Sequence, residues 1–215
     1  GAFGAAIAEH LVMGTLMLLH RMREYLRQQR EHVWRRVGDL RFLGQSQVTV
    51  LGTGNLGSTF ARYCQAMGAR TEGVSRRGAQ VEPFSRVWAM YQRLEAVKHA
   101  DVVAACLPLT AETKGILDHT FFRAMKPGAI FLNAGRGKTV DQDALIDALQ
   151  TGHLGGAVLD VAQQEPMLPE CPLWNMENVV ITPHISGSDL DPWNTQRIFE
   201  IFMENLRRYG QGLPL

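Results

Sequence analysis

The chain has 215 residues, enough for one sizeable α/β domain or one domain with an appendage. Apolar residues make up 46% and charged residues 20%, which excludes a disordered polyelectrolyte, and a net charge of +1 gives no electrostatic reason to expect nucleic acid or an acidic membrane. Three scattered cysteines, Cys64, Cys106 and Cys171, form no C-x-x-C pair, which argues against a disulfide framework or a zinc site and for a reducing, cytoplasmic setting.

The first stretch, "GAFGAAIAEHLVMGTLMLL", is the only membrane-like one, but Glu9 and His10 interrupt it and no basic leader precedes it. It starts at Gly1 directly inside an apparent helix, the expectation for a trimmed piece of a longer protein. Apolar spacing predicts one long helix from about Ile7 to Arg36. Ile7, Leu11, Gly14, Leu18, Met22 and Tyr25 share one face, and Val12, Leu16 and Leu19 fill the other side of the first half. A helix apolar on both sides needs two surfaces to bury against, its own domain and either a missing segment or a second subunit. The charged second half, "HRMREYLRQQREHVWRR", reads as a solvated arm.

Short apolar runs then alternate with helical segments. The runs are "QVTVLG", "RTEGVS", "DVVAACLP", "AIFLNAG", "GGAVLDV" and "NVVITPH". Helices are expected at Leu56 to Met67, Val87 to His99, Asp118 to Met125 and Asp141 to Gln150, with a last one from about Asp191 to Tyr209. Runs apolar on both faces suit strands covered by helices, so the expected fold is a doubly wound parallel sheet of the Rossmann type, preceded by the long helix. The expected division is 1–36 for that helix, 37–188 for the dinucleotide-binding domain and 189–215 for the terminal helix.

The first run leads into "VLGTGNLGSTF", with Gly52, Gly54 and Gly57 in G-x-G-x-x-G spacing between a strand and a helix. Gly52 permits a tight turn, Gly54 a close approach to a pyrophosphate, and Gly57 close helix–strand packing. The N–H groups around Asn55, Leu56, Gly57 and Ser58 would point at the phosphates. An NAD site places an acid about twenty residues further on, at the carboxyl end of the second strand. Glu72 lies in mid-strand, three residues too early, and alternation puts it on the face opposite Ser75. Ser75, Arg76 and Arg77 occupy the strand end, and a hydroxyl with two guanidinium groups suits a 2′-phosphate. The expectation is NADP(H) in preference to NAD(H).

Three later strand ends carry polar clusters: Asn133 and Arg136, Asp160 and Glu165, and His184. Carboxyl strand ends line the ligand crevice of a parallel sheet, so all three should face the cofactor, together with Ala134 and Gly135 of the same turn. Arg136 would clamp a substrate carboxylate and polarise the adjacent carbonyl, and His184 would protonate the developing alkoxide. Glu165 would orient the imidazole and favour its protonated form.

These motifs resemble the NAD(P)-binding part of the D-isomer-specific 2-hydroxyacid dehydrogenases, in particular the glyoxylate/hydroxypyruvate reductase branch. The resemblance runs from about Ala8 to Pro214 through "AEHLVMGTLMLLHR", "VLGTGNLG", "ADVVAACLPLTAETKGILD", "MKPGAIFLNAGRGKTVDQDALIDAL", "GAVLDVAQQEP" and "NVVITPHISG". It implies that Arg136, Glu165 and His184 form the catalytic set and that Asp160 contacts the nicotinamide amide. It also implies that Leu107 and Pro108 line the adenosine side, and that the first helix belongs to a homodimer interface. Ser75 stands where NAD-specific members carry an Asp, as in members that use NADPH. By the same resemblance, most of the substrate domain is absent, and the chain alone should bind NADPH but reduce 2-keto acids poorly. A nucleotide-sensing or corepressor-like role is the rival within the family, weakened by the intact Arg136, Glu165 and His184. A short-chain dehydrogenase is excluded because Tyr25, Tyr63, Tyr91 and Tyr209 all lack a Lys four residues on. A methyltransferase would leave the three polar clusters unexplained.

Overall fold

In the computed structural model, which describes residues 1–187 and 192–214, each of the six apolar runs contributes a strand to one parallel sheet. These are β1 (Gln47–Leu51), β2 (Arg70–Ser75), β4 (Val102–Ala105), β5 (Ile130–Asn133), β6 (Gly156–Leu159) and β7 (Val179–Ile181). A seventh strand, β3 (Arg86–Ala89), pairs with β2 and completes the order β3-β2-β1-β4-β5-β6-β7. The chain winds outward from β1 in one direction and from β4 in the other, so the topological switch lies between them. A parallel sheet of this kind opens a ligand crevice there, at the carboxyl strand ends.

β3 was expected to begin a helix at Val87. In the fold Val87 and Ala89 are buried while Arg86 is exposed, a period of two that a four-residue window barely reveals. The helical part starts only afterwards, with a 3₁₀ turn at Met90–Gln92 and then α4 (Arg93–Val97). The other helices follow expectation closely. These are α3 (Asn55–Ala66), α5 (His119–Ala124), α6 (Gln142–Gln150) and α7 (Pro192–Gly210). Asp118 and Asp141 cap α5 and α6 by accepting from N–H groups of their first turns. The expected domain boundary at residues 188 and 189, and the expected start of the last helix at Asp191, fall outside the described residues.

The long first helix is corrected. It is two helices, α1 (Gly4–Leu19) and α2 (Met22–Arg30), broken where Arg21 turns left-handed at φ 52°. Tertiary bonds favour the break. The returning chain donates Arg41 N–H to the Leu19 carbonyl at 3.1 Å, and Arg21 Nε donates to the Asp39 carbonyl at 3.2 Å. Residues 31–36 are not helical. Val33 N–H bonds to the Gln28 carbonyl, and Val37 N–H to the Tyr25 hydroxyl. The buried residues of α1 are Gly4, Ala8, Leu11, Gly14, Thr15 and Leu19; Leu11 and Gly14 belong to the expected face, with Ile7 and Leu18 partly buried beside them, whereas Met22 is exposed. Gly14 faces β6, where an added Cβ would stand 2.5 Å from Val158 Cγ1, so glycine lets α1 lie directly on the sheet.

Two apolar layers sandwich the sheet. On one face Val48, Val50, Ala104, Leu132 and Val158 meet Leu11 of α1 and Phe60 of α3. On the other, Leu51, Val103 and Phe131 meet Phe121 and Phe122 of α5 and Leu145 of α6. Phe122 packs edge-on against Phe131, with ring centroids 5.2 Å apart. This double coverage explains why the strands read as continuous apolar runs.

Candidate active site

The phosphate turn meets the steric demands that its glycines suggest. Gly52 has φ 101°, and a Cβ there would stand 2.6 Å from the Cys106 carbonyl oxygen. A Cβ on Gly57 would collide with the Gly52 carbonyl oxygen, so Gly57 permits the helix to start this close to the strand. Gly54 has nothing within 4 Å of the same position. Open space above Gly54, at the N-terminus of the 12-residue α3 with no acidic residue in its first turn, fits a pyrophosphate. The N–H groups of Asn55, Leu56 and Gly57 belong to that first turn, where no intrahelical acceptor exists.

At the ribose corner, Ser75 ends β2 and its Oγ accepts from Gly78 N–H at 3.1 Å. Arg76 and Arg77 are exposed and line, with Thr53 and Ser75, an open groove of about 390 Å³. Neither guanidinium has a hydrogen-bonded partner among the described residues. Glu72 stays on the sheet, where its Oε2 accepts from Trp88 Nε1 at 2.6 Å on the neighbouring strand β3. The Arg86 guanidinium covers that indole at 3.3 Å. Glu72 therefore has a structural partner away from the strand end.

The next two strand ends supply backbone more than side chains. Pro108 is exposed, but Leu107 is buried in the core, so only its main chain can border an adenosine. A Cβ on Gly135 would press on the Leu107 main chain at 2.8 Å. Asn133 is buried and its Oδ1 accepts from Gly135 N–H at 3.1 Å, which shapes the Ala134–Gly135 turn from below. Arg136 stands exposed above that turn, its Nη1 donating to the Gly135 carbonyl at 2.8 Å. The following Gly137 abuts the Ala162 carbonyl so closely that a Cβ there would overlap it, which brings the Arg136 turn against the loop carrying Glu165.

His184 Nδ1 lies 2.8 Å from Glu165 Oε2, and Glu165 Oε1 accepts from Ala162 N–H at 3.0 Å. The carboxylate is thus fixed at both oxygens and the imidazole at one nitrogen, leaving Nε2 for another partner. Both side chains are about half exposed. His184 has φ 52°, a left-handed backbone rarely adopted by non-glycine residues.

Asp160 is what sustains that conformation. Its carbonyl accepts from His184 N–H at 2.8 Å. Its Oδ1 accepts from Thr182 Oγ1 at 2.6 Å and from Ile185 N–H at 3.0 Å. Its Oδ2 accepts from Ser186 N–H at 3.1 Å and from the Ser186 hydroxyl. Burial pushes the Asp160 carboxyl up. The hydrogen bonds from Ser186, Thr182 and Ile185 outweigh it, and the net pKa lies below the ordinary aspartate value. These four bonds fill the four acceptor positions of a carboxylate, and the partners of Asp160 here belong to the His184 loop.

Sequence reasoning missed Thr182 and Ser186, two residues either side of His184, and His10, whose Nε2 lies 3.0 Å from Thr182 Oγ1. The available signal was a polar pair, Glu9–His10, inside an otherwise apolar helix.

With this geometry in place, comparison with known proteins is direct. The family model for the D-isomer-specific 2-hydroxyacid dehydrogenase NAD-binding domain matches residues 12–186. The chain belongs to this family. A putative 2-hydroxyacid dehydrogenase of Haemophilus influenzae is 32% identical over 99% of this chain and 69% of its own length. A glyoxylate/hydroxypyruvate reductase B of Salmonella newport is 41% identical over 65% of this chain and 43% of its own. Among solved structures, the NADPH-dependent glyoxylate/hydroxypyruvate reductase of Sinorhizobium meliloti, in complex with NADP and sulfate, superposes with a TM-score of 0.87 at 30% identity. It is covered over 67% of its length by all of this chain. A probable 2-hydroxyacid dehydrogenase of Rhizobium etli, in complex with NADP, superposes at 0.88 and 29% identity over 99% of this chain. This family member thus spans from under half to about two thirds of the length of these relatives. Among its described residues, no helix is long and apolar enough to cross a membrane.

Proposed function

We propose that this chain carries the cofactor-binding and proton-donating parts of an NADPH-dependent reductase, which converts a small 2-keto acid of the glyoxylate or hydroxypyruvate kind to the D-2-hydroxy acid. The observation that carries the reading is the His184–Glu165 pair, 2.8 Å apart and placed at the carboxyl end of a sheet whose first turn fits a pyrophosphate. Bound NADPH supplies the hydride. Arg136, exposed above the β5 turn, holds the substrate carboxylate and polarises the adjacent carbonyl. His184 gives its Nε2 proton to the alkoxide oxygen as the carbonyl is reduced, and Glu165 stabilises the imidazolium before that transfer. Arg76 and Arg77 hold the 2′-phosphate, with the Ser75 hydroxyl beside them, and this favours NADP(H) over NAD(H).

Nothing described here covers His184 or Glu165 from water, so we expect the 215 residues alone to bind NADPH and to turn over keto acids slowly. We also propose a homodimer through the N-terminal helical region. Trp34 is fully exposed, and Gln28, although buried, has no partner for either amide atom among the described residues. Both border a cleft of about 760 Å³ that a second copy could fill. Three unpaired cysteines, with Cys64 and Cys106 pushed up to about 12 by burial, suit a reducing cytoplasm in which they stay inert.

The test is NADPH oxidation over a panel of 2-keto acids, for the chain and for His184→Asn. Slow reduction lost in the variant, with NADPH binding retained, is the expected result. Equal activity in the variant would overturn the role given to His184, and tight NADPH binding with no turnover of any keto acid would favour the nucleotide-sensing role.

A further inference from the structure

α1 reaches the reactive loop through one side chain. His10 is nearly buried, and its Nε2 lies 3.0 Å from Thr182 Oγ1 and 3.9 Å from Asp160 Oδ1. The direction of the proton donors can be deduced. Asp160 is buried and held ionised by its hydrogen bonds, so it can only accept, and the Thr182 hydroxyl must donate to its Oδ1. A hydroxyl has one hydrogen to give. The contact between His10 and Thr182 therefore requires Nε2 of His10 to carry the hydrogen and Thr182 to accept it.

We propose that His10 is a positioning residue for His184, acting through Thr182 and Asp160. The line runs His10 Nε2–H to Thr182 Oγ1, Thr182 O–H to Asp160 Oδ1, and Asp160 to the backbone of His184, Ile185 and Ser186. Each member orients the next, because Thr182 saturated by His10 has only the Asp160 direction left for its hydrogen. The helix carrying His10 cannot drift, since Gly14, one turn further on, lies against Val158 of β6, the strand that Asp160 directly follows. The left-handed backbone of His184 is thereby over-determined from both sides, by β6 through Asp160 and by α1 through His10. Glu9–His10 is then a device of the site carried on a helix that otherwise serves packing.

This inference rests on the proton-donor role of His184 for its kinetic consequence, but not for its structural one. The test uses the whole chain labelled with ¹³C-histidine, and the His184 Cε1–H signal is assigned by its loss in His184→Asn. His10→Ala should broaden or split that signal and lower single-turnover NADPH oxidation by glyoxylate about fivefold, with NADPH affinity changed by no more than about twofold. His10→Gln, whose amide can donate to Thr182, should restore both. Thr182→Val, which leaves α1 untouched, should alter the His184 signal in the same way, and the double variant should add nothing further. An unchanged His184 signal in Thr182→Val, or effects of the two substitutions that simply add, overturns the proposal. Absence of turnover in the unsubstituted chain would instead count against the proposed function, and the spectroscopic arm would still decide the role of His10.

Discussion

The two ends of the crevice are built on opposite plans. At the mouth formed by β6 and β7, Thr182 and Ser186 hold the Asp160 carboxylate and Glu165 fixes His184 at Nδ1, leaving Nε2 open. At the ribose corner, beyond β2, Arg76 and Arg77 project over an open groove, and neither guanidinium has a hydrogen-bonded partner among the described residues. Groups that must act on a reacting atom gain from being fixed beforehand, since misplacement costs rate directly. Groups that recognise a charged ligand can wait for it, because charge-assisted bonds form on arrival. Under the proposed function, the chemistry is preorganised and the cofactor choice is left to be completed by binding.

The strongest way to break this contrast is at the mouth. Glu165→Gln keeps the side-chain shape but removes the charge beside Nδ1, and should lower turnover on the order of a hundredfold. NADPH affinity should stay nearly constant, because Glu165 touches no part of the phosphate turn. Stopped-flow absorbance of NADPH, alongside a fluorescence titration, separates the two. A large loss of cofactor binding in this variant would mean that the two ends are not independent.

At the other end, Arg76→Ala combined with Arg77→Ala should weaken NADPH by about tenfold or more and leave NADH nearly unchanged. Titrating both cofactors against both proteins checks it. If the pair weakens NADPH and NADH alike, the arginines attract anions in general and do not recognise a 2′-phosphate.

How far each end can be read from sequence follows the same contrast. The ribose corner is legible, because its residues are consecutive and their place depends only on where β2 stops. The strand ends bearing Arg136, Asp160, Glu165 and His184 are legible too, since apolar runs mark each strand. The clamp around Asp160 is not. Thr182, Ser186 and His10 are brought to it by pairing of β7 with β6 and by packing of α1, which no local spacing reveals. The break at Arg21 and the short strand β3 escaped for a related reason. Long-range bonds to Asp39 and Leu19 decide the first, and pairing with β2 decides the second.

The clamp also makes a prediction about stability. Asp160 has a folded-state pKa below that of the unfolded chain, so its ionised form stabilises the fold above the unfolded value, near pH 4. That contribution is lost as pH falls through the lower, folded value. Asp160→Asn should destabilise the protein by about 1–3 kcal/mol at neutral pH, because its amide turns a donor toward backbone N–H groups. The difference from the unsubstituted protein should shrink on acidification, and urea unfolding at several pH values measures it. A constant difference down to low pH would mean that the hydrogen bonds matter and the charge does not.

The smallest effect is the most diagnostic for the ribose corner. Glu72 is the acid nearest the place where an NAD site would have one, and by residue count alone it is the natural ribose ligand. The structure gives it other work, accepting from Trp88 Nε1 at 2.6 Å with Arg86 laid over the same indole. Glu72→Gln keeps an acceptor for that indole, so stability should change by less than about 1 kcal/mol. The affinities for NADPH and NADH should each stay within about twofold, a shift below half a kcal/mol. A selective loss of NADH binding would place Glu72 at the ribose hydroxyls and make the corner bifunctional. Unchanged binding of both cofactors leaves selection to Ser75, Arg76 and Arg77, the open end of a crevice whose other end is already held by its own hydrogen bonds.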